Sequence, residues 1–253
     1  MRIIISPAKK MNVNTDSFAC RDLPRFLPQA ERLHRRLSEM SYEELKALWK
    51  CNDRIARLNF ERLQSMDLRR GLTPAILAYE GIQYQYMAPG VFTVEELEYI
   101  QEHLRILSGF YGILRPFDGV TPYRLEMQAK LNTEQGKNLY EYWNSSISDA
   151  LFSETDCILD LASQEYSRCV SDHLNGSVRF ITCRFCQQIG GKPVEKGTLC
   201  KMARGEMVRY LAEHQVESVE QVKAFDWLGY RYEPGESNER VYTFLQEKPS
   251  KSL

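Results

Sequence analysis

The stretch that organises the chain is His103-Leu-Arg-Ile-Leu-Ser-Gly-Phe-Tyr-Gly-Ile-Leu-Arg-Pro-Phe-Asp-Gly-Val-Thr-Pro-Tyr-Arg-Leu-Glu-Met127. Apolar residues recur every three or four positions from Leu97 to Tyr111, which predicts that an amphipathic helix runs into its start. Two glycines then let the backbone leave the helix, and two prolines stiffen the loop that follows. This polar, rigid loop carries Arg115 and Arg124, so we expect it to present side chains to a ligand. The alternative is a structural crossover whose arginines bond groups inside the protein.

Working outward, we predict three strands from apolar, β-branched runs: Arg2–Ser6, Ala75–Tyr79 and Cys157–Ala162. A polar cluster follows each of them. In chain order the clusters are Ser6 with Lys9, Glu80 with Gly81, and Ser163 with Glu165. If the strands lie parallel in one sheet, these clusters share the edge where α/β proteins bind ligands. For the first cluster alone, a simple surface turn is the competing interpretation.

Other elements are read from caps and periodicity. A fourth strand is predicted over Val178–Phe185, and a terminal hairpin or edge pair over Asp226–Tyr232 and Arg240–Gln246. Three predicted helices are defined by their ranges: Pro24–Met40, Gly136 to about Phe152, and Leu199 to about Glu213. Three more are defined by their caps. One starts at Ser41 with Glu44, one starts at Asp53 and runs to about Met66, and one starts at Thr93 with Glu96.

Positive charge concentrates late in the chain. Seven Lys or Arg residues stand against two acidic residues between Arg179 and Arg209. Lys201 and Arg204 lie three apart and so share one helix face, which suits phosphate binding. Lys137 stands at the start of another predicted helix, where backbone N–H groups attract anions.

The bulk composition narrows the class of protein. The chain has 253 residues, 43% of them hydrophobic and 26% charged, which suits a single α/β domain over residues 1–253, a mixed sheet with helices around it. The net charge of −1 means that any attraction for nucleic acid must be local. No run of 18 apolar residues exists and the apolar run Ile3–Ile5 is too short for a signal peptide, so we predict a cytoplasmic protein without a membrane partner.

Metal and cofactor signals are weak. The seven cysteines are scattered, and Cys183-Arg-Phe-Cys186 lacks the second pair that a zinc site needs. The four histidines are dispersed, so a dedicated iron site is not favoured. No phosphate-binding glycine loop occurs, and we predict neither a metal nor a cofactor.

The order of several sequence blocks resembles the bacterial peroxide stress protein YaaA family almost from end to end. The blocks are Ile4–Lys9, Ala75–Gly81, His103–Met127, Gly136–Tyr140, Leu161–Tyr166 and Ala203–Gly205. The segment from Leu174 to Thr198 departs most from the family pattern, and the family blocks do not depend on Cys183 and Cys186. The resemblance implies a cytosolic protein induced by peroxide that limits iron-dependent damage. It also implies a mixed α/β fold with a positively charged cleft, and double-stranded DNA as a partner through a helix-hairpin-helix element, for which the helices from Ser41 to Met66 are our first assignment.

Two functional hypotheses remain at this point, and the sequence predicts no oligomeric state. The first is a DNA-binding stress protein whose phosphate contacts come from Lys9, Arg115, Arg124, Lys201, Arg204 and Arg209. The second is an enzyme for a small phosphorylated or nucleotide-like ligand. There Arg115 and Arg124 would clamp the anion, Glu126 or Glu165 would be the general acid or base, and Tyr123 or Tyr166 a donor.

Overall fold

The computed structural model describes residues 1–16 and 18–246. The strands of this part of the chain are β1 (Arg2–Ile5), β2 (Lys10–Met11), β3 (Thr73–Pro74), β4 (Tyr79–Glu80), β5 (Leu104–Ser108), β6 (Gly112–Leu114), β7 (Gly119–Val120), β8 (Cys157–Leu161), β9 (Arg179–Ile189), β10 (Lys192–Glu195), β11 (Tyr230–Tyr232) and β12 (Val241–Gln246). The α-helices are α1 (Leu27–Ser38), α2 (Tyr42–Trp49), α3 (Asp53–Gln64), α4 (Ala75–Ala78), α5 (Ile82–Met87), α6 (Val94–His103), α7 (Leu139–Trp143), α8 (Ser146–Phe152), α9 (Gln164–Ser171), α10 (Gly197–Glu213) and α11 (Val219–Val222). The prediction of a mixed α/β fold is confirmed.

The main sheet has the strand order β11-β12-β9-β8-β1-β5-β6, with β10 also paired to β9. Five neighbouring strands, from β12 to β5, run parallel. Strands β11 and β6 pair antiparallel at the two edges of the sheet, and β10 pairs antiparallel with the last residues of β9. Parallel strands are buried on both faces, which explains why Ile3, Ile4 and Ile5 are all fully buried. The predicted pairing of the last two segments is confirmed, because β11 pairs with β12 at the sheet edge.

The strand order reverses beside β1. From β1 the chain moves to β5 on one side, and then returns to β8 on the other side before continuing to β9 and β12. In open α/β sheets, such a reversal leaves a crevice at the carboxyl ends of the two strands, and ligands bind there. Ser6 follows β1 and Ser163 follows β8, so both residues lie at this crevice.

The helical pattern predicted from Leu97 to Tyr111 is wrong beyond His103. Helix α6 ends there, and Leu104–Ser108 forms β5 with all five residues buried. A strand buried on both faces has no polar alternation, so its apolar residues fit helical spacing equally well. Gly112, at φ 75°, takes the left-handed conformation that lets the chain turn back into β6.

The predicted strand over Ala75–Tyr79 is also wrong. Ala75–Ala78 is the single helical turn α4, and the two-residue strands on either side of it belong to small sheets of their own. Strand β4 pairs with β2, which follows the end of β1. The chain therefore still brings Glu80 to the crevice, although not as the end of a main-sheet strand.

The predicted helix starts hold in part. The capping boxes at Ser41 and Thr93 are present, but Asn52 rather than Asp53 caps α3, with its Oδ1 accepting from the N–H of Ile55. The predicted helix up to Phe152 is two helices, because Asn144 breaks it at φ 43°.

Candidate anion-binding cleft

A cavity of about 420 Å³ opens at the carboxyl ends of β1 and β8, and we refer to it as the switch-point cleft. Five basic and three acidic side chains line it, together with hydroxyl and amide groups. Its lining residues are Ser6, Pro7, Ala8, Lys9, Lys10, Glu80, Gly81, Ile82, Gln83, Tyr84, Tyr123, Arg124, Leu125, Glu126, Ser163, Glu165, Tyr166, Lys201 and Arg204. The structure thus brings together ten of the side chains that the sequence selected: Ser6, Lys9, Tyr123, Arg124, Glu126, Ser163, Glu165, Tyr166, Lys201 and Arg204.

The floor of the cleft is fixed by two serines. The backbone N–H of Ser163 donates to Oγ of Ser6 at 2.8 Å, and the Ser6 hydroxyl donates to Oγ of Ser163 at 3.1 Å. Tyr84 donates from its hydroxyl to the carbonyl of Ser6 at 3.0 Å. Ser163 occupies the cap position of α9, yet its side chain makes no cap bond and serves the link to β1 instead.

One wall is formed by the loop after β7. Nη2 of Arg124 lies 3.0 Å from Oε1 of Glu126, and both side chains are about nine-tenths buried. The exposed ammonium of Lys9 lies 3.4 Å from the same oxygen. Behind this wall, the buried hydroxyls of Tyr79 and Ser108 each bond the Tyr123 hydroxyl, at 2.8 and 2.7 Å. Burial raises the pKa of Tyr123 to about 12, so the phenol stays protonated and available as a hydrogen-bonding group.

Glu165 approaches the same wall from the start of α9. Its Oε1 accepts the backbone N–H of Gln128 at 3.2 Å. Burial raises the pKa of the Glu165 carboxyl, and the nearby Glu126 raises it further, while backbone N–H groups and Lys9 oppose the shift. Two carboxylates with different surroundings in one cavity are the arrangement from which acid and base roles are built.

The opposite wall is α10, which carries Lys201 and Arg204. Gly205 lets this helix lie directly on α5, since a Cβ at Gly205 would stand 2.2 Å from the carbonyl oxygen of Gln83. The close crossing sets the distance of both cationic side chains from the floor. Sequence reasoning missed Gln83 and Tyr84, because nothing in their short helix signals that α10 packs on it.

Several buried polar atoms in the cleft have no hydrogen-bond partner. Within residues 1–16 and 18–246 they include Nε2 of Gln83, Nε of Arg124, Oε1 of Glu126 and Nε of Arg204, all on lining residues. The carboxylate oxygen makes its two ion pairs without hydrogen-bond geometry. Buried polar groups are nearly always satisfied, so this concentration points to a ligand.

Three predicted site residues lie outside the cleft. Arg115 follows the antiparallel strand β6 and so emerges beside the start of β5, where it lines a separate cavity of about 300 Å³ with Arg105 and Glu154. The backbone N–H of Lys137 already donates to the carboxylate of Glu141, at 2.8 Å. Arg209 pairs with Glu213 one turn along α10, at 2.7 Å.

The helices α2 and α3 form a hairpin beside the cleft, joined by residues 50–52. The rings of Tyr42 and Phe60 meet edge to face at 5.5 Å between the two helices. The carbonyl of Trp49, the last residue of α2, accepts a long hydrogen bond of 3.5 Å from Nη2 of Arg124. The turn of the hairpin therefore lies next to the wall of the cleft, and Lys50 and Arg54 are exposed on it.

The described part of the chain has neither a cluster of metal ligands nor a membrane-spanning helix. No group of three or more His, Cys, Asp or Glu residues there is arranged to hold a metal ion. Cys183 and Cys186 are both buried free thiols, and burial raises the pKa of both. Among the described helices, none combines the length and the apolar character that crossing a bilayer requires.

Comparison with known proteins agrees with the resemblance that the sequence blocks indicate. The model of the family described as peroxide stress protein YaaA matches residues 1–236. The chain belongs to the YaaA peroxide stress protein family. Among its relatives, a UPF0246 protein of Lachnoclostridium phytofermentans is 55% identical over 97% of this chain and 96% of its own length. UPF0246 proteins of Agathobacter rectalis and Desulfitobacterium hafniense are 52% and 51% identical, over 96% and 99% of this chain and 98% and 100% of their own lengths.

Proposed function

We propose that the chain is a cytoplasmic peroxide stress protein that binds double-stranded DNA at the switch-point cleft. The observation that carries this proposal is the convergence of Lys9, Lys10, Arg124, Lys201 and Arg204 on one cavity. Lys and Arg clusters of this kind bind phosphate oxygens through charge-assisted hydrogen bonds. Since the net charge of the chain is only −1, attraction for DNA has to come from such a local cluster.

The hairpin of α2 and α3 extends the proposed DNA surface and is our assignment for a helix-hairpin-helix element. Its turn adjoins Arg124 through the Trp49 carbonyl. Lys50 and Arg54 are exposed there and can reach the phosphates of a duplex whose nearest strand lies across the cleft. Phosphate contacts of this kind position a protein on DNA without reading its sequence.

Limiting iron-dependent damage follows from the same contacts. A protein that neutralises phosphates with Lys and Arg displaces the cations condensed on the DNA, and ferrous ions are among them. DNA covered in this way carries less iron for peroxide to react with. The expected result is that the protein reduces nicking of plasmid DNA by ferrous iron and peroxide, and that a variant defective in DNA binding does not.

Fluorescence anisotropy with a labelled duplex at about 50 and about 200 mM salt tests DNA binding. The cleft variant is Lys10→Gln with Lys201→Gln, two exposed side chains whose loss leaves the core intact. Its matched control is Lys137→Gln with Arg209→Gln, which removes the same charge outside the cleft. We expect the unaltered protein to bind at low salt, and the cleft variant to lose about two units of salt slope, one for each phosphate contact. Absence of binding at low salt, or equal losses in both variants, contradicts the proposal.

A second candidate function is an enzyme acting on a small phosphorylated or nucleotide-like ligand in the same cleft. Glu165 favours it, because burial raises the pKa of this half-buried carboxyl and it lies beside Glu126, so the two carboxyls can take different roles in proton transfer. Incubating the protein with a panel of nucleotides and following their masses is the test. The enzyme is supported if the unaltered protein converts a nucleotide and Glu165→Gln does not. Full conversion by the variant argues against this role of Glu165.

A further inference from the structure

The atoms of the switch-point cleft that lack a hydrogen-bond partner differ in kind. Nε2 of Gln83, Nε of Arg124 and Nε of Arg204 are hydrogen-bond donors, whereas Oε1 of Glu126 is an acceptor. All four belong to residues that line one cavity, and the atoms themselves are buried from water. A ligand that completes the cleft must therefore offer acceptors to the two guanidinium groups and the amide, and an N–H or O–H to the carboxylate.

A phosphate group by itself does not meet this requirement. A phosphodiester has acceptor oxygens but no donor, and its charge is repelled by Glu126. That carboxylate is held in place by Arg124 at 3.0 Å and Lys9 at 3.4 Å, so the acceptor is a fixed part of the wall. The ligand group that reaches Glu126 is thus a separate, donor-bearing part of the same molecule.

Size limits the ligand further. The cavity of about 420 Å³ falls in the range of small-molecule sites and is far too small for a double helix. Its lining includes Pro7, Leu125 and the rings of Tyr84 and Tyr166, which form apolar contact area for a planar group. Lys10 and Lys201 are exposed at its edge, where they can follow a phosphate chain out of the cavity.

We infer that the cleft binds one unstacked nucleotide of a nucleic acid strand. Its phosphates contact Arg124, Arg204 and Lys201, and an N–H group of its base donates to Glu126. This inference rests on the proposed DNA binding and specifies what enters the cleft. Extruding a base from a duplex costs a few kcal/mol, so a nucleotide that is already unpaired binds more tightly.

The test compares three duplexes that differ at one position. They are fully paired, bulged by one extra adenosine, or bulged by one extra abasic nucleotide, and anisotropy gives the dissociation constant of each. We expect the adenosine bulge to bind about tenfold more tightly than the paired duplex, which corresponds to about 1.4 kcal/mol. The abasic bulge, which has the phosphate and no base, should lose most of that gain. With 2-aminopurine in the bulge, the fluorescence should change on binding as the base enters the cleft.

A variant pair identifies the acceptor. Glu126→Met removes it, and Glu213→Met removes a carboxylate of α10 outside the cleft. The first variant should bind the adenosine and abasic bulges equally, and the second should keep the difference. If Glu126→Met does not fold, the affinities of the unaltered protein for the three duplexes still show whether an unpaired base enters the cleft.

The outcomes separate this inference from the proposed function. Equal binding of all three duplexes overturns the inference and leaves DNA binding intact. Absence of binding to any duplex at low salt overturns DNA binding. In that case, calorimetric titration with free deoxyadenosine monophosphate decides whether the nucleotide that enters the cleft is a free one. If the unaltered protein binds this nucleotide and Glu126→Met does not, the cleft is a nucleotide site whose ligand is a free nucleotide. If no heat of binding is seen, the inferred nucleotide site is rejected.

Discussion

Ser163 donates its backbone N–H to Oγ of Ser6 at 2.8 Å, which ties the ends of β1 and β8 together where the strand order reverses. The two residues are 157 positions apart in the chain. Without this link, the loops after the two strands would be free to separate and widen the cleft. The contact therefore joins the stability of the sheet to the shape of the candidate site.

Replacing Ser6 by Ala tests that contact. The change leaves the half-buried N–H of Ser163 without its acceptor, which costs up to the roughly 1–3 kcal/mol of an unsatisfied buried donor. We expect the free energy of unfolding in urea to fall by that amount. Ser65→Ala is the control, because this exposed hydroxyl bonds only two carbonyls of the helix that precedes it. Equal losses in the two variants contradict a special role for Ser6.

Gly205→Ala tests the crossing of α10 and α5. The new Cβ would stand 2.2 Å from the carbonyl oxygen of Gln83, so the helices must move apart. We expect a loss of about 1–3 kcal/mol or more in the free energy of unfolding, together with weaker anion binding as Lys201 and Arg204 shift. Gly197→Ala is the control in the same helix, because its Cβ meets nothing within 4 Å and alanine favours the helix. If both variants unfold at the same urea concentration, the close crossing does not matter.

The pH dependence of DNA binding tests Glu165. Its pKa is raised by burial, so its proton returns as the pH falls towards that value, and the cleft loses one negative charge. We expect DNA affinity to rise as the pH is lowered from neutral towards the raised pKa of Glu165. Glu165→Gln is neutral throughout, so it should bind more tightly at the higher pH and show a flatter dependence. No histidine lines the cleft within the described residues, so an identical pH profile in the variant would exclude Glu165 as its source.

Asp118 provides a separate prediction about stability. Burial raises its pKa from 3.8 to about 6, while the N–H of Arg115, donating at 2.8 Å, opposes the shift. The folded state therefore holds the proton more tightly than the unfolded state. Its contribution to stability is fully present below pH 3.8 and is lost as the pH rises to about 6.

Asp118→Asn removes this titration. Between pH 4 and 7 we expect the variant to gain stability relative to the unaltered protein, by on the order of 2–3 kcal/mol at about 1.4 kcal/mol per pKa unit. Urea denaturation at several pH values measures the difference. Asp226→Asn, at an exposed position, should show no such trend. A difference that does not vary with pH would mean that Asp118 keeps its ordinary pKa.

The sequence predicted the parallel core where the signal was unambiguous. The runs Ile3–Ile5 and Cys157–Ala162 are short, largely apolar and followed by serine, so both the strands and the loops at their ends were found. Leu104–Ser108 was mistaken for helix because its burial on both faces removes the polar alternation. Ala75–Ala78 was mistaken for strand because four apolar residues do not distinguish a strand from one helical turn.

The candidate site divides in the same way. Ser6, Lys9 and Ser163 follow central parallel strands, so their convergence could be expected from the sheet rule alone. Arg115 could not be placed, because the reversal of β6 against β5 is not visible in the sequence and sends this residue to the other end of the sheet. Gln83 was missed because its position depends on a helix that is more than a hundred residues away along the chain.

The central position of β1 has a consequence for synthesis on the ribosome. The first strand to emerge has β5 and β8 as its neighbours, so one side of it waits for residues 157–161. The wall that carries Lys201 and Arg204 is translated later still. A nascent or truncated chain that ends before α10 therefore lacks a complete cleft, and ligand binding can serve as a readout that translation and folding have both finished.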